Sequence, residues 1–324
     1  MQRPYLMLVW ILAVILTTFN VSLGNEYHEQ VNEPNVFLFT YFVGNGEDGL
    51  HLAWSEDGSN WQPLGNGRPF LQPQVGSRLM RDPCLILGPD GVFHMVWTTG
   101  WQDRGIGLAH SRDLLEWSEQ QYVPLMEDMA GARNCWAPEI IWDPDSKKYV
   151  IFWSSTVEGR FPETAGSGDN GWNHRIYRTL TGDFKGFTRA ELFYEPGFNV
   201  IDATITRGPK GYVMVVKDET RHPPAKNLRV AFSSTILGPW SAASEPFSPK
   251  DVWAEGPTVL RVGSWWYIYF DKYTQQRYGA MRTRDFRQFE DVSDQCRFPA
   301  GIRHGTALAV PTEVFNALRK AADH

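Results

Sequence analysis

Three acidic residues and one histidine stand at similar intervals along the sequence, each near an apolar run. They are Asp82, Asp202, Glu255 and His304, and Ala137 takes the matching position in the remaining interval. The intervals are 55, 65, 53 and 49 residues. If these carboxyl groups share one confined mouth, burial and mutual repulsion raise the pKa of at least one of them. Such a group can hold a proton near neutral pH, as an acid catalyst must.

Grouped carboxyl groups suit glycoside hydrolysis. One protonated carboxyl donates its proton to the leaving oxygen, and an ionised partner activates water or attacks the sugar. A third acid can keep its neighbour protonated. In the plainer interpretation, the same residues only cap turns or bind a cation at the mouth of a channel. Their joint recurrence favours hydrolysis.

The elements that must position these residues form a repeat. A seven-residue pattern of Ser or Thr, a turn and an aromatic residue recurs five times: Ser55–Trp61, Ser111–Trp117, Thr181–Phe187, Ser234–Trp240 and Thr283–Phe289. Between the copies lie strand–turn–strand segments in which β-branched and aromatic residues alternate and Gly, Pro or Asp supply the turns. Each repeat thus offers about four short strands, the content of one propeller blade. Helical periodicity appears only after Pro311.

The two ends of the repeat predict how a ring closes. Residues 302–310 resemble an inner strand that no outer strands follow, and residues 36–61 resemble outer strands that no inner strand precedes. Joining them completes a fifth blade. We therefore predict an all-β, five-bladed β-propeller, with residues 25–324 as a single catalytic domain. An ordinary β-sandwich is the alternative, but it does not account for five matching turns. In a propeller, the first strand of each blade lines the central channel, so the spaced residues should converge at one mouth.

Five short motifs make the pattern specific. They are Met80-Arg81-Asp82-Pro83, Trp136-Ala137-Pro138-Glu139-Ile140, Val200-Ile201-Asp202-Ala203, Ala254-Glu255-Gly256-Pro257 and Arg303-His304-Gly305. In this order they resemble glycoside hydrolase family 43, over nearly all of the chain after residue 24. The resemblance implies that Asp82 is the general base and Glu255 the general acid. It further implies that Asp202 orients Glu255 and favours its protonated form, and that the anomeric configuration is inverted.

The resemblance also sets the expected substrates. Members of this family commonly release α-L-arabinofuranose or β-xylose from plant-type or related polysaccharides and oligosaccharides, so we expect a carbohydrate partner. A retaining fructosidase-like enzyme shares the Arg-Asp-Pro of residues 81–83, but it needs Asn-Asp-Pro one blade earlier and Glu-Cys one blade later. A galactose-releasing hydrolase and a propeller that binds glycans without cutting them remain as alternatives. Glu139 stands where the family usually has Asp.

Further residues near the expected mouth are candidates for contact with a sugar. They are Arg81, Trp101, Trp136, Lys217, Trp253 and Arg303. The tryptophans can stack on sugar faces. Lys217 can contact sugar hydroxyl groups or simply end its strand in solvent, and Arg81 and Arg303 can bind substrate or neutralise the acids. Packing between blades is the plainer interpretation for any one tryptophan. Residues 157–173 make one repeat longer than the others, and this glycine-rich segment either shapes the pocket or is a disordered insertion.

The resemblance also bears on cofactors. It places His304 close to a central water or bound cation, which would be a structural calcium ion in the channel held through water. No cofactor is required for the reaction. The three cysteines, Cys84, Cys135 and Cys296, are an odd number at wide spacing, which gives neither a disulfide framework nor a zinc site and indicates free buried thiols.

Composition excludes one class of partner. The formal net charge is −6 and there is no run of Lys or Arg, so nucleic acid is not an expected partner. Aromatic residues make up 14% of the chain, with 14 tryptophans, which provides many rings for packing or for stacking on a flat ligand.

The first residues differ from the rest. Arg3 precedes an apolar run from Tyr5 to Phe19, and the small residues Ser22 and Gly24 follow. This run is shorter than a bilayer requires and fits a signal peptide over residues 1–24. We therefore expect a secreted or periplasmic protein with no membrane contact after cleavage, and a retained N-terminal anchor is the alternative. The sequence does not predict an oligomeric state.

Overall fold

The computed structural model describes residues 36–322, which form nineteen β-strands and one α-helix. The strands are β1 (Val36–Tyr41), β2 (His51–Ser55), β3 (Gln62–Pro63), β4 (Arg81–Leu87), β5 (Phe93–Thr98), β6 (Ile106–Ser111), β7 (Gln121–Val123), β8 (Trp136–Asp143), β9 (Lys148–Thr156), β10 (His174–Thr181), β11 (Glu191–Tyr194), β12 (Val200–Gly208), β13 (Gly211–Asp218), β14 (Asn227–Ser233), β15 (Glu255–Val262), β16 (Trp265–Lys272), β17 (Arg277–Thr283), β18 (Glu290–Asp291) and β19 (Ala307–Val310). Helix α1 (Thr312–Ala322) follows Pro311, where the sequence predicted a helix. The predicted signal peptide, residues 1–24, lies outside the described residues. Within residues 36–322, no helix has the length and apolar character needed to cross a membrane.

The strands assemble into five antiparallel sheets, the blades of a five-bladed β-propeller. The sheets are β4-β5-β6-β7, β8-β9-β10-β11, β12-β13-β14, β15-β16-β17-β18 and β19-β1-β2-β3. The first strand of each blade contacts the first strands of both neighbours, so β4, β8, β12, β15 and β19 form the inner ring. This confirms the predicted all-β propeller.

The ring closes as predicted. Strand β19 pairs with β1, with Val36 opposite Val310 and Phe39 opposite Ala307. The inner strand of this blade is shorter than predicted, because it begins at Ala307 and leaves His304 in the bend before it.

One blade has three strands, although the repeat predicted about four. Beyond β14, the backbone N–H groups of Ser241, Ser244 and Phe247 bond to carbonyls of β14 at every third residue. A strand would pair at every second residue. Pro239 and Pro246 lie in this stretch and have no N–H to donate, so a regular fourth strand does not form.

The recurring seven-residue pattern is a turn held by its own side chains. In four copies the first residue accepts a hydrogen bond from the N–H three positions on, as Ser111 Oγ does from Leu114 at 2.8 Å. The aspartate at the third position accepts two further N–H groups, as Asp113 does from Leu115 and Glu116. The fourth residue takes a left-handed conformation, with φ +63° at Leu114. The copy at Ser234 has no aspartate and turns differently.

The apolar cores lie between neighbouring blades. In the first of them, Leu38 and Leu52 of the closing blade pack with Phe93 and Met95 of the next. The cysteines contribute as small apolar residues: Cys84 and Cys135 are buried, Cys296 is half-buried, and all three are free thiols, as predicted.

A β-bulge begins each of four inner strands. The pairing with the second strand shifts after Arg81 in β4, Trp136 in β8, Ile201 in β12 and Glu255 in β15. The next residue in each has positive φ: Asp82 +51°, Ala137 +46°, Asp202 +52° and Gly256 +55°. The sequence analysis matched Glu255 to Asp82, and this match is wrong by one position. Glu255 is equivalent to Arg81, Trp136 and Ile201. A bulge adds a residue to one strand only, so spacing alone could not fix this register.

Candidate active site

A cavity of about 480 Å³ opens at the mouth of the ring. Nine of the ten residues predicted for the site line it: Arg81, Asp82, Trp101, Trp136, Asp202, Lys217, Glu255, Arg303 and His304. Ala137, at the matching position of the second blade, is buried and does not line it. The structure thus brings together residues more than two hundred positions apart in the sequence.

Asp82 is held as a carboxylate. Thr98 Oγ1 donates a hydrogen bond to its Oδ2 at 2.8 Å, and His304 Nδ1 lies 3.2 Å from its Oδ1. Burial by itself raises the pKa of Asp82, but the hydrogen bond and charge of His304, with Arg81 and Thr98, lower it to about 2. Burial lowers the pKa of His304, but Asp82 and other carboxylates raise it to about 9. At neutral pH the two side chains therefore form a buried ion pair.

Asp202 is the acid with the opposite tendency. Burial raises its pKa to about 6; Glu255 and Asp82 add to the rise, against the charges of His304 and Lys217. Its Oδ2 accepts the backbone N–H of Gly256 at 2.9 Å. In the two preceding blades a hydroxyl oxygen accepts the equivalent N–H. Thr98 Oγ1 accepts the N–H of Ala137, and Ser154 Oγ accepts the N–H of Asp202. Lys217 holds the matching place before Gly256, so Asp202 supplies the acceptor and fixes the backbone next to Glu255.

Both oxygens of Glu255 contact a cation. Lys217 Nζ lies 2.9 Å from Oε2, and an Arg303 guanidinium nitrogen lies 3.0 Å from Oε1. The side chain remains 22% exposed, toward the cavity. A group that reaches Glu255 from the cavity must therefore enter between these two cations.

The predicted sugar contacts Lys217 and Arg303 are themselves paired with carboxylates. Lys217 is buried and also contacts Glu219 Oε2 at 2.6 Å. Burial lowers the pKa of Lys217, but Glu255 and Glu219 raise it well above its usual range. Arg303 Nε contacts Asp271 Oδ2 at 2.5 Å. These cations neutralise the acids, the alternative that the sequence left open for Arg303.

An aromatic wall forms one side of the cavity. The rings of Trp101 and Trp136 meet edge to face at 5.5 Å, and Trp136 and Trp172 lie 4.6 Å apart. Trp101 is 48% exposed, and the Arg81 guanidinium lies 4.2 Å from its ring centroid. Such a row of faces can stack on sugar rings.

The long segment 157–173 is ordered and brings Gly168, Asp169 and Trp172 to the cavity. Arg175, fully buried, holds it: its guanidinium donates to Thr164 Oγ1 at 2.8 Å and to Asn173 Oδ1 at 3.0 Å, and it also pairs with Glu195. These contacts favour the prediction that the segment shapes the pocket over the alternative of a disordered insertion.

Trp253 is the predicted site residue that does not line the cavity. Its ring lies behind that of Tyr273, 6.0 Å away, and beside the guanidinium of Arg221 at 5.0 Å. It precedes the first residue of β15 by two positions, on the side where the loop from β13 to β14 approaches. Its position gives no support to the predicted sugar contact.

Further residues line the cavity beyond the ten candidates discussed above. They are Phe42, Asn45, Asp169, His174, Asn199, Glu219 and Tyr273. Glu219 and Tyr273 directly follow the second strands of their hairpins, and this position at a strand end beside the mouth is the signal that marks them in the sequence. Asp169 belongs to the segment 157–173, for which the sequence analysis gave pocket shaping as one interpretation, and the rest depend on chain paths that no sequence pattern reports.

Glu139, the departure from the family pattern, lies deeper in the ring. It is buried, and Thr204 Oγ1 donates to its Oε2 at 3.1 Å. Burial raises the pKa of Glu139 to about 7. It does not line the cavity.

The described residues do not fit a directly bound metal. Within residues 36–322, no three or more His, Cys, Asp or Glu side chains are grouped as metal ligands. His304 Nδ1 is already engaged with Asp82. The calcium ion held through water stays a prediction, and no step below depends on it.

Comparison with known proteins places this geometry in context. A family model for a probable glycosyl hydrolase domain, related to glycoside hydrolase family 43, matches residues 33–315. Among curated proteins, an α-L-arabinofuranosidase of Bifidobacterium longum subsp. longum is 22% identical over 255 residues, which is 67% of this chain and 24% of that enzyme. The chain thus spans about a quarter of the length of this relative.

Solved structures share the fold. An α-L-arabinofuranosidase from Lactobacillus brevis matches with a TM-score of 0.51 at 17% identity, covering 66% of this chain and 72% of that one. A putative exo-β-1,3-galactanase from Bifidobacterium bifidum also matches with a TM-score of 0.51, at 13% identity, covering 68% of this chain and 73% of that one. At these identities the likeness shows the propeller fold alone.

Proposed function

This chain belongs to the family of probable glycosyl hydrolase domains related to family 43, and from that premise we propose that it is an inverting glycosidase that removes a terminal sugar from a polysaccharide or oligosaccharide. The observation that carries the proposal is that Asp82, Asp202 and Glu255 line one cavity in three different environments. Glycosidases need carboxyl groups whose proton affinities differ, and environment is what separates them.

Asp82 acts as the general base. The ion pair with His304 and the low pKa of Asp82 keep this side chain ionised, the form that a general base needs. Glu255 acts as the general acid and gives its proton to the leaving oxygen. Asp202 orients Glu255 through the N–H of Gly256. Because both oxygens of Glu255 contact cations, Lys217 or Arg303 must release one of them before that oxygen can hold a proton and donate it to the leaving oxygen.

α-L-Arabinofuranose is the first sugar to test, and β-xylose the second. The curated relative is an α-L-arabinofuranosidase, which supports this order. We further propose that residues 1–24 are a signal peptide and that the protein is exported. Sequencing the N-terminus of protein recovered from culture medium tests the export proposal.

The function is tested with 4-nitrophenyl glycosides of α-L-arabinofuranose, β-xylose, β-galactose and β-fructose. Wild type is compared with Glu255→Gln, which keeps the shape and removes the proton donor, and with Glu119→Gln, an exposed residue outside the cavity and its wall. We expect release from a pentoside and no change in Glu119→Gln. In Glu255→Gln we expect a loss of about a hundredfold or more on an oligosaccharide, whose leaving oxygen needs the proton, and a smaller loss on the 4-nitrophenyl glycosides. Proton NMR of the first product reports its anomeric configuration.

The alternatives give different results. A product of retained configuration would contradict the inverting mechanism and favour the fructosidase-like reading. Glycan binding without release from any aryl glycoside or polysaccharide would indicate a binding propeller, and the proposed reaction would then be abandoned.

A further inference from the structure

Glu255 lies within a chain of alternating charges. In order, the chain runs Lys226, Glu219, Lys217, Glu255, Arg303, Asp271. Each member contacts the next: Lys217 Nζ stands 2.6 Å from Glu219 Oε2 and 2.9 Å from Glu255 Oε2. Three cations and three carboxylates balance, so the chain as a whole is neutral when all are ionised.

Lys217 is shared between two carboxylates and is almost completely buried. Its side chain is 2% exposed, so it lacks a solvent partner if one carboxylate is lost. A change at Glu219 must therefore alter the strength of the ion pair between Lys217 and Glu255. Lys226 contacts the other oxygen of Glu219 and is also buried, so it competes with Lys217 for the same carboxylate.

One short loop supplies Glu219 and Lys226, the two members of the chain beyond Lys217. Glu219 directly follows β13 and Lys226 directly precedes β14. The N–H of Glu219 donates to the carbonyl of Asn199 at 2.7 Å, which fixes the start of the loop. The same loop carries Arg221 and His222, which contact Asp169 of the segment 157–173 at 3.4 and 3.1 Å. The loop thus joins the charged chain to the cavity wall.

Six charged or titratable groups face Glu255, from four strands and two connecting segments. They are Asp202 of β12, Lys217 of β13, Asp271 of β16, Tyr273 after β16, Tyr278 of β17 and Arg303 before β19. Among them, Lys217 leads outward to Glu219 and Lys226.

We propose that Glu219 and Lys226 are positioning residues that act through Lys217 and set the pH at which Glu255 loses its proton. The proposal rests on the function proposed above, in which Glu255 is the general acid. Loss of the Glu219 charge leaves Lys217 to Glu255 alone and favours the ionised form of Glu255. Loss of the Lys226 charge lets Glu219 draw Lys217 away and has the opposite effect.

The test compares the pH profiles of kcat/KM for four variants. Glu219→Gln should move the alkaline midpoint down by about one pH unit, the size expected for one charge removed at this range in a partly buried site. Lys226→Met should move it up. Glu219→Asp keeps the charge and should stay near wild type, and Glu119→Gln, an exposed residue outside the chain of charges and the cavity, should not shift the midpoint.

A second readout does not depend on activity. The carboxyl carbon of Glu255, labelled with ¹³C and assigned by its absence in Glu255→Gln, should titrate with the same opposite shifts in Glu219→Gln and Lys226→Met. Shifts of the same sign, or none, would overturn the proposal. If wild type releases no sugar, the proposed function fails, while the carboxyl titration still decides whether the link through Lys217 exists.

Discussion

At the scale of single residues, the buried pair of Asp82 and His304 is the feature with the clearest consequence for pH. His304 has a folded pKa of about 9, above its usual 6.5. A group whose pKa is raised by folding adds stability that is fully present below the unfolded value and is lost as pH rises through the folded one. The protein should therefore lose stability between pH 6.5 and 9.

The expected loss is about 3 kcal/mol in the free energy of unfolding, from the difference between the two pKa values. Urea titrations at pH 6 and 9.5 measure it. His304→Gln should show a flatter dependence over this range, and His222→Gln, whose ring is 58% exposed, should keep the wild-type slope. A wild-type stability that is constant from pH 6 to 9.5 would contradict the ion pair.

The residue identities in the site were largely predictable, because acids that recur with the repeat need no knowledge of loops. Asp82, Asp202, Glu255 and His304 all line the cavity. The contacts of Lys217 and Arg303 were not predictable in the same way. Whether a cation meets a carboxylate or a sugar depends on side-chain distances of about 3 Å, and no sequence spacing reports them.

At the scale of elements, the bulge at Gly256 carries the most constraint. Its φ is +55°, and a Cβ there would stand 2.4 Å from His304 Cγ. Gly256→Ala must therefore strain the backbone or displace His304 from Asp82. We expect a loss of about 1–3 kcal/mol in the free energy of unfolding, together with a loss of activity.

Gly186→Ala is the matched control, because a Cβ at Gly186 meets nothing within 4 Å. This variant should change the free energy of unfolding by less than about 0.5 kcal/mol. Thermal unfolding and kcat/KM of the two variants give the comparison. Equal stability in both would mean that the contact between residue 256 and His304 does not constrain the site.

The strands and turns were more predictable than their registers. Four of the five copies of the turn pattern form the same turn, because Ser or Thr and Asp bind backbone N–H groups wherever this turn occurs. The missing fourth strand after β14 and the one-residue offset at Glu255 were not predictable. Both depend on local hydrogen bonding, in which a proline or a bulge changes the pairing without changing the interval between repeats.

At the scale of the whole molecule, closure of the ring depends on strand β19, which joins β1 across the chain. Val310 is buried there and Ala309, its neighbour on the same strand, is exposed. Val310→Asp places an unpaired carboxyl in the seam and should lower the free energy of unfolding by about 3 kcal/mol or more. Ala309→Asp makes the same change on the exposed face and should be tolerated.

Chemical unfolding of the two variants checks this, with intrinsic tryptophan fluorescence as the probe. A large effect of Ala309→Asp, or none of Val310→Asp, would mean that the seam does not hold the ring together. The fold class and the pairing of the two ends were predictable from the unmatched strands at residues 36–61 and 302–310. The placement of segment 157–173 was not, because Arg175 fixes it through contacts that only the folded chain brings together.

The seam also imposes an order on biosynthesis. Strand β1 emerges from the ribosome early, while its partner β19 is made only after the other four blades. Until then, one edge of Val36–Tyr41, a mostly apolar strand that is buried throughout in the finished protein, has no partner. Unpaired apolar edges recruit other chains. The nascent protein is therefore most exposed to aggregation during synthesis of its middle, and holdase chaperones should matter more for its yield than for its final stability.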